Sequence, residues 1–98
     1  MTLEAQQPRR LTILGSTGSI GVNTLDVVNQ LGGRDAFEIG ALTGNGNIEF
    51  LAEQARAMGA KLAVTADESQ YMTLKDALSG SGVDVAAGRS GLDEAASL

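Results

Sequence analysis

The chain predicts an α/β fold, a Rossmann-like doubly wound parallel sheet, on three observations. Short apolar runs rich in β-branched residues alternate with amphipathic stretches of helical period along the whole chain. Glycine-rich punctuation falls at the junctions between them. The composition, 43% hydrophobic with 19% charged and 3% aromatic residues, is that of an Ala/Val/Leu/Gly-rich globular domain and excludes disorder as the default state. With 98 residues there is room for one domain at most, and no repeat, low-complexity tract or linker divides it.

The elements follow in order. Residues 1–10 hold Pro8, Arg9 and Arg10 but no apolar core of signal-peptide length, and are expected to form a flexible leader. A strand over about 11–15 precedes a helix over about 19–31 that Gly32-Gly33 closes. In that helix Ile20, Leu25, Val28 and Leu31 can share the buried side, while Asn23, Asp26 and Asn29 face water. A strand over 37–43 leads to a helix over 48–58 that ends near Gly59. The strand Lys61–Thr65, a helix over 68–79 and the strand Val83–Ala87 come next. A last helical segment starts near Ser90 and runs to Leu98. These make four βα units, each a right-handed crossover into a parallel sheet. In the doubly wound order 3-2-1-4-5-6, strand four lies beside strand one and begins the second half, so the sheet is incomplete. Its open edge is expected to promote self-association.

The run Leu11-Thr12-Ile13-Leu14-Gly15-Ser16-Thr17-Gly18-Ser19-Ile20-Gly21 carries the chemistry. A buried strand ends in glycines that permit a tight turn and close backbone approach. The first N–H groups of the next helix then point at an anion with the helix dipole behind them. The spacing, Gly15-x-x-Gly18-x-x-Gly21, is a relative of the G-x-G-x-x-G dinucleotide fingerprint rather than the fingerprint itself. Val22-Asn23 follows where a triphosphatase loop needs Lys-Ser or Lys-Thr, so the reading is a dinucleotide pyrophosphate and not ATP hydrolysis.

Bulk properties exclude several other classes. A net charge of −5 with scattered Lys and Arg offers no electrostatic grip on nucleic acid. The absence of Cys and His removes disulfides, thiolate metal sites, and a neutral-pH general base. No catalytic residue and no metal ligand is assigned within the chain. No apolar run reaches membrane-spanning length, and a cytoplasmic location is expected. The charged residues Glu53, Arg56, Lys75, Asp76, Asp93 and Glu94 read as solvated helix faces, and Met58, Tyr71 and Met72 as packing residues.

A second constellation lies at the end of the second strand, the position that reads the adenosine ribose in this fold. The strand runs into Thr43-Gly44-Asn45-Gly46-Asn47, with no carboxylate at its tip. Without that acid a 2′-phosphate is not repelled, and Thr43, Asn45 and Asn47 with the glycine N–H groups can donate to it, which favours NADP over NAD. Turn chemistry explains the same residues without a ligand, with Asn47 capping the next helix.

The glycine run, followed by Thr24-Leu25-Asp26-Val27-Val28, closely resembles the amino terminus of the 1-deoxy-D-xylulose 5-phosphate reductoisomerases. Ala41-Leu42, Asn47 and Leu51-Ala52-Glu53-Gln54-Ala55 continue the likeness, which weakens after about residue 67. The resemblance implies an enzyme of the non-mevalonate isoprenoid pathway. Such an enzyme uses NADPH and a divalent metal, Mg or Mn, to isomerise and reduce 1-deoxy-D-xylulose 5-phosphate to 2-C-methyl-D-erythritol 4-phosphate. By position, Thr17, Gly18, Ser19 and Ile20, within the turn bounded by Gly15 and Gly21, match the family's pyrophosphate-side contacts. Asn45, Gly46 and Asn47 match the loop around the ribose and its 2′-phosphate. The family commonly carries Lys or Arg where Gly46 stands, and a charge-assisted contact of that kind is worth about 1.5–3 kcal/mol.

Family members are several times longer and typically homodimeric. The resemblance therefore implies that residues 11–98 are the N-terminal part of the NADPH-binding domain. The metal ligands and the phosphorylated-sugar site would lie outside this chain, which alone is expected to be inactive. Two rival readings stand beside it: an NADP-dependent reductase of semialdehyde dehydrogenase type, and a non-catalytic nucleotide-binding module.

Overall fold

The computed structural model describes residues 9–33, 37–44 and 47–97. Four parallel strands, β1 (Arg9–Ile13), β2 (Phe37–Gly44), β3 (Leu62–Thr65) and β4 (Asp84–Ala87), form one sheet. Helices α1 (Ser19–Gln30) and α2 (Ile48–Met58) connect the first three strands. A 3-10 turn over Glu68–Gln70 runs into α3 (Tyr71–Ala77), and α4 (Gly88–Ala96) follows β4. The α/β class and the four βα units are as the sequence predicts. The first strand and the last helix differ most in their bounds: β1 starts at Arg9, inside the expected leader, and ends at Ile13, so Gly15 belongs to a turn and not to the strand. The last helix begins at Gly88, directly on the strand, and ends at Ala96 with Ser97 as its C-cap; Leu98 lies outside the described residues.

The strand order is β1-β2-β3-β4, which places β4 beside β3 and not beside β1. The reason lies in the faces. Leu25 and Val28 of α1, Leu51, Ala55 and Met58 of α2, and Leu74 of α3 share one core with Ile13, Ile39, Leu42 and Ala63 of the sheet. Three right-handed crossovers on one face each step the sheet in the same direction. Helix α4 lies on the other face, where Ala95 and Leu92 pack with Ala41, Leu62, Val64 and Ala86. Gly91 brings it close, since a Cβ there would lie 2.9 Å from Val64 Cγ1. Helices therefore cover both faces, with α1, α2 and α3 on one and α4 on the other.

Strand β2 has one residue more than β1 over their paired length: Leu11 pairs with Ile39 and Thr12 with Ala41, leaving Gly40 as a bulge. A bulge shifts the alternation of side chains by one. Ile39 and Leu42 consequently both enter the larger core, while Ala41 enters the smaller one. In α1 the buried stripe is Gly21, Leu25 and Val28, one residue every three to four. Leu31 lies past the end of the helix and is 62% exposed, contrary to its expected place in that stripe. Met72, read as a packing residue, is also exposed, whereas Met58 is buried.

Helix α2 has the most legible ends. Asn47 Oδ1 accepts from the Phe50 N–H at 3.3 Å, and Gly59 closes the helix in the left-handed region at φ 63°. The Arg56 guanidinium donates to the Ala77 carbonyl, joining α2 to α3. Lys61 and Glu38 pair at 2.5 Å on the surface, where such a pair adds little to stability. Among the described residues no helix is long and apolar enough to cross a membrane.

Leu51 and Leu42 are fully buried where α2 meets β2. Leu51→Ala is predicted to destabilise the fold by about 2–5 kcal/mol in urea titration, with the transition slope retained, whereas Val27→Ala, at an exposed position, changes stability by less than about 0.5 kcal/mol.

Candidate functional site

The loop after β1 is held from three sides. The Gly15 N–H donates to Thr43 Oγ1 at 2.8 Å, and the Ser16 N–H donates to the Thr43 carbonyl at 2.7 Å. Ser16 Oγ donates to Gln54 Oε1 at 2.7 Å, while Gln54 Nε2 donates to the Ser16 carbonyl at 2.8 Å. The Gly18 N–H returns to the Gly15 carbonyl at 3.0 Å, closing the turn on itself. Gly15 has φ 70°, a conformation that costs an L residue about 1–2 kcal/mol, and this is the local reason for glycine there.

Gly21 has a different reason. A Cβ at that position would lie 2.4 Å from the Gly15 carbonyl oxygen and 2.5 Å from Ser16 Cα, both backbone atoms. Only a glycine lets the first turn of α1 pack against the loop. Gly18, the N-cap of α1, is exposed and extended (φ −77°, ψ 169°), and a Cβ there would make only an ordinary 3.4 Å contact. The three glycines thus serve three purposes: a left-handed turn, an open surface and a close helix approach.

Among the described residues no side chain caps the N-terminus of α1. Gly18 offers no side-chain cap, the first turn contains no acidic residue, and the first intrahelical bond runs from the Val22 N–H to the Gly18 carbonyl at 2.9 Å. The N–H groups of Ser19, Ile20 and Gly21 precede that bond and point out of the helix end. By contrast α2 has Asn47 as its cap and Glu49 in its first turn. The N-terminal end of α1 sits at the C-terminal end of the sheet, where open α/β folds bind their ligands.

Of the predicted site residues, Gly15, Thr17, Gly18 and Gly21 come together in this turn with the backbone of Ser19 and Ile20. Thr17 is half-buried over the tip of β2; a Cβ on Gly44 would lie 3.2 Å from its Oγ1. Asn47 is exposed at the start of α2. Asn45 and Gly46 lie outside the described residues. Thr43, read from the sequence as a donor to a 2′-phosphate, is 4% exposed, and its hydroxyl oxygen accepts from Gly15, so it holds the turn instead. Ser16 and Gln54 are the site residues that sequence reasoning missed. Among the described residues no group of three or more His, Cys, Asp or Glu side chains is placed to hold a metal ion, so no metal-dependent step is assigned to them.

The sequence family settles what this turn belongs to. The family model for 1-deoxy-D-xylulose 5-phosphate reductoisomerase matches residues 11–98. The chain belongs to this family.

A reductoisomerase of Allorhizobium ampelinum is 70% identical over the whole chain, and one of Rhizobium meliloti is 78% identical over 90% of it. The chain spans about a quarter of the length of these relatives, 25% and 22% respectively. The solved reductoisomerase from Zymomonas mobilis in complex with NADPH superposes with a TM-score of 0.87 at 50% identity, over 92% of this chain and 23% of that one. A reductoisomerase in complex with NADPH, fosmidomycin and magnesium superposes with a TM-score of 0.83 at 31% identity, over 91% of this chain and 22% of that one. Membership of this family displaces the semialdehyde dehydrogenase reading. The likeness also covers residues 67–98, where the residues by themselves suggest a weakening.

Gly15, in the turn, and Gly21, in the first turn of α1, are predicted to respond differently to alanine. Gly15→Ala meets open space and pays only for its backbone conformation, about 1–2 kcal/mol, while Gly21→Ala drives a Cβ into backbone and costs about 3 kcal/mol or more. Thermal unfolding of the two variants side by side checks the order.

Proposed function

We propose that this chain is the NADPH-binding part of a 1-deoxy-D-xylulose 5-phosphate reductoisomerase, which isomerises and reduces 1-deoxy-D-xylulose 5-phosphate to 2-C-methyl-D-erythritol 4-phosphate. The observation that carries the reading is the N-terminus of α1, capped by no described side chain, above a turn already fixed by hydrogen bonds to Thr43 and Gln54. An anion supplies the cap that no described side chain provides. The relatives of known structure include complexes with NADPH and with magnesium.

In this reading NADPH, when bound, supplies the hydride. The N–H groups of Ser19, Ile20 and Gly21 receive the pyrophosphate, and the openness at Gly18 lets its oxygens approach the backbone. Thr17, with Gly15 below it, shapes the wall of the turn. Asn45, Gly46 and Asn47 are assigned to the adenosine ribose by their match to the family, and the missing carboxylate leaves room for a 2′-phosphate. The chain's own part in the reaction is to bind and orient. The sugar-phosphate substrate and the divalent metal, Mg or Mn, are held by other parts of the enzyme, a cytoplasmic homodimer acting on small molecules and not on nucleic acid.

Gly18→Val tests this directly, because the backbone there accepts a β-branched residue and no neighbour blocks it. In the full-length reductoisomerase carrying this segment, fluorescence titration is expected to show saturable NADPH binding, tighter than NADH, that the substitution abolishes. The melting temperature should stay within about 2 °C, since surface changes alter stability by less than about 0.5 kcal/mol. Unchanged NADPH affinity in a folded Gly18→Val protein would contradict the assignment.

A further inference from the structure

We infer that Gln54 is a positioning residue for the cofactor, acting through Ser16 without touching the ligand; the inference rests on the cofactor reading above. Gln54 is a polar side chain on the buried side of α2, between Leu51 and Met58, and only 8% of it is exposed. Burying a carboxamide is costly unless both its ends are satisfied. Both ends meet one residue: Oε1 accepts from the Ser16 hydroxyl and Nε2 donates to the Ser16 carbonyl. Ser16 is itself fully buried, so neither member of the pair is available to a ligand. The pair ties α2 to the residue between Gly15 and Thr17.

The consequence is a rigid frame shared by the two halves of the proposed site. Asn47 caps α2 at the ribose side, and Gln54 lies seven residues further along, about 10 Å down the same helix. Without the pair the turn is free to shift while Asn47 and α2 stay in place, which disturbs the pyrophosphate donors alone. Losing the clamp therefore weakens every ligand that uses the pyrophosphate donors and leaves discrimination at the ribose unchanged. NADPH and NADH should lose affinity by the same factor.

The test uses the full-length reductoisomerase with Gln54→Met, which keeps the side-chain length and removes the amide, Ser16→Ala, which removes only the hydroxyl, and the double variant. Dissociation constants for NADPH and NADH are measured by fluorescence titration, with KM and kcat for NADPH and melting curves as companions. Each single variant is expected to raise both dissociation constants about tenfold, with the NADPH/NADH ratio and kcat at saturating NADPH within twofold of the parent. The double variant should be no weaker than the worse single, because the two residues act as one unit. Wild-type affinity in the single variants, additive losses in the double, or a fall in kcat at unchanged KM would overturn the inference. If Gln54→Met does not fold, Ser16→Ala decides alone, and an unchanged dissociation constant there is the contrary result. Failure of the parent enzyme to bind either dinucleotide would refute the cofactor reading itself.

Discussion

Ser16 spends its amide, hydroxyl and carbonyl inside the protein, on Thr43 and Gln54, and the geometry of the site follows from that. A loop of glycines and small residues loses much conformational freedom on ordering, and an anion alone would have to offset that cost on binding. Here the cost is met when the domain folds, by bonds from the tip of β2 and the middle of α2. With the turn fixed, Gly21 can sit against it, α1 starts at a defined place, and its first N–H groups share one direction. Each later feature of the site depends on the earlier one.

The sheet supplies the second constraint. Because α1, α2 and α3 share one face, β1 to β4 are laid down in sequence, and the end of β1 lies beside the end of β2. That adjacency lets Thr43 reach Gly15 and Ser16, and it puts the turn after β1 next to the C-terminal end of β2. The Gly40 bulge contributes by directing both Ile39 and Leu42 into the core beneath α2, the helix that carries Gln54. Helix α4, packed on the opposite face through Gly91, balances the sheet from the other side.

Local chemistry was legible in the sequence, and long-range pairing was not. Asn47 and Gly59 mark the ends of α2 because a cap and a left-handed closure are properties of a few adjacent residues. The glycine run announced its turn for the same reason. The order of the strands depends on which face each helix takes, and a pattern of alternating elements is silent on that. Leu31 was misread because a helical period extrapolates past the residue where the helix stops. Thr43 looked like a ligand donor because its partner, the Gly15 N–H, is 28 residues away in sequence. Gln54 did leave a trace, a polar residue on an otherwise apolar stripe, but a glutamine in a helix reads first as solvated. Its meaning appears only when Ser16, 38 residues earlier, is brought against it.

The central claim is that the turn is built before any ligand arrives. Amide hydrogen exchange on the cofactor-free protein tests it most directly, read at the Ser16 amide against Leu51 and Val64 in the core. The account predicts that Ser16 exchanges as slowly as those core amides, and that adding NADPH changes the amides of Ser19 to Gly21 far more than that of Ser16. Fast exchange at Ser16 in the free protein, with protection acquired only on adding NADPH, would mean that the ligand makes the turn and would contradict it.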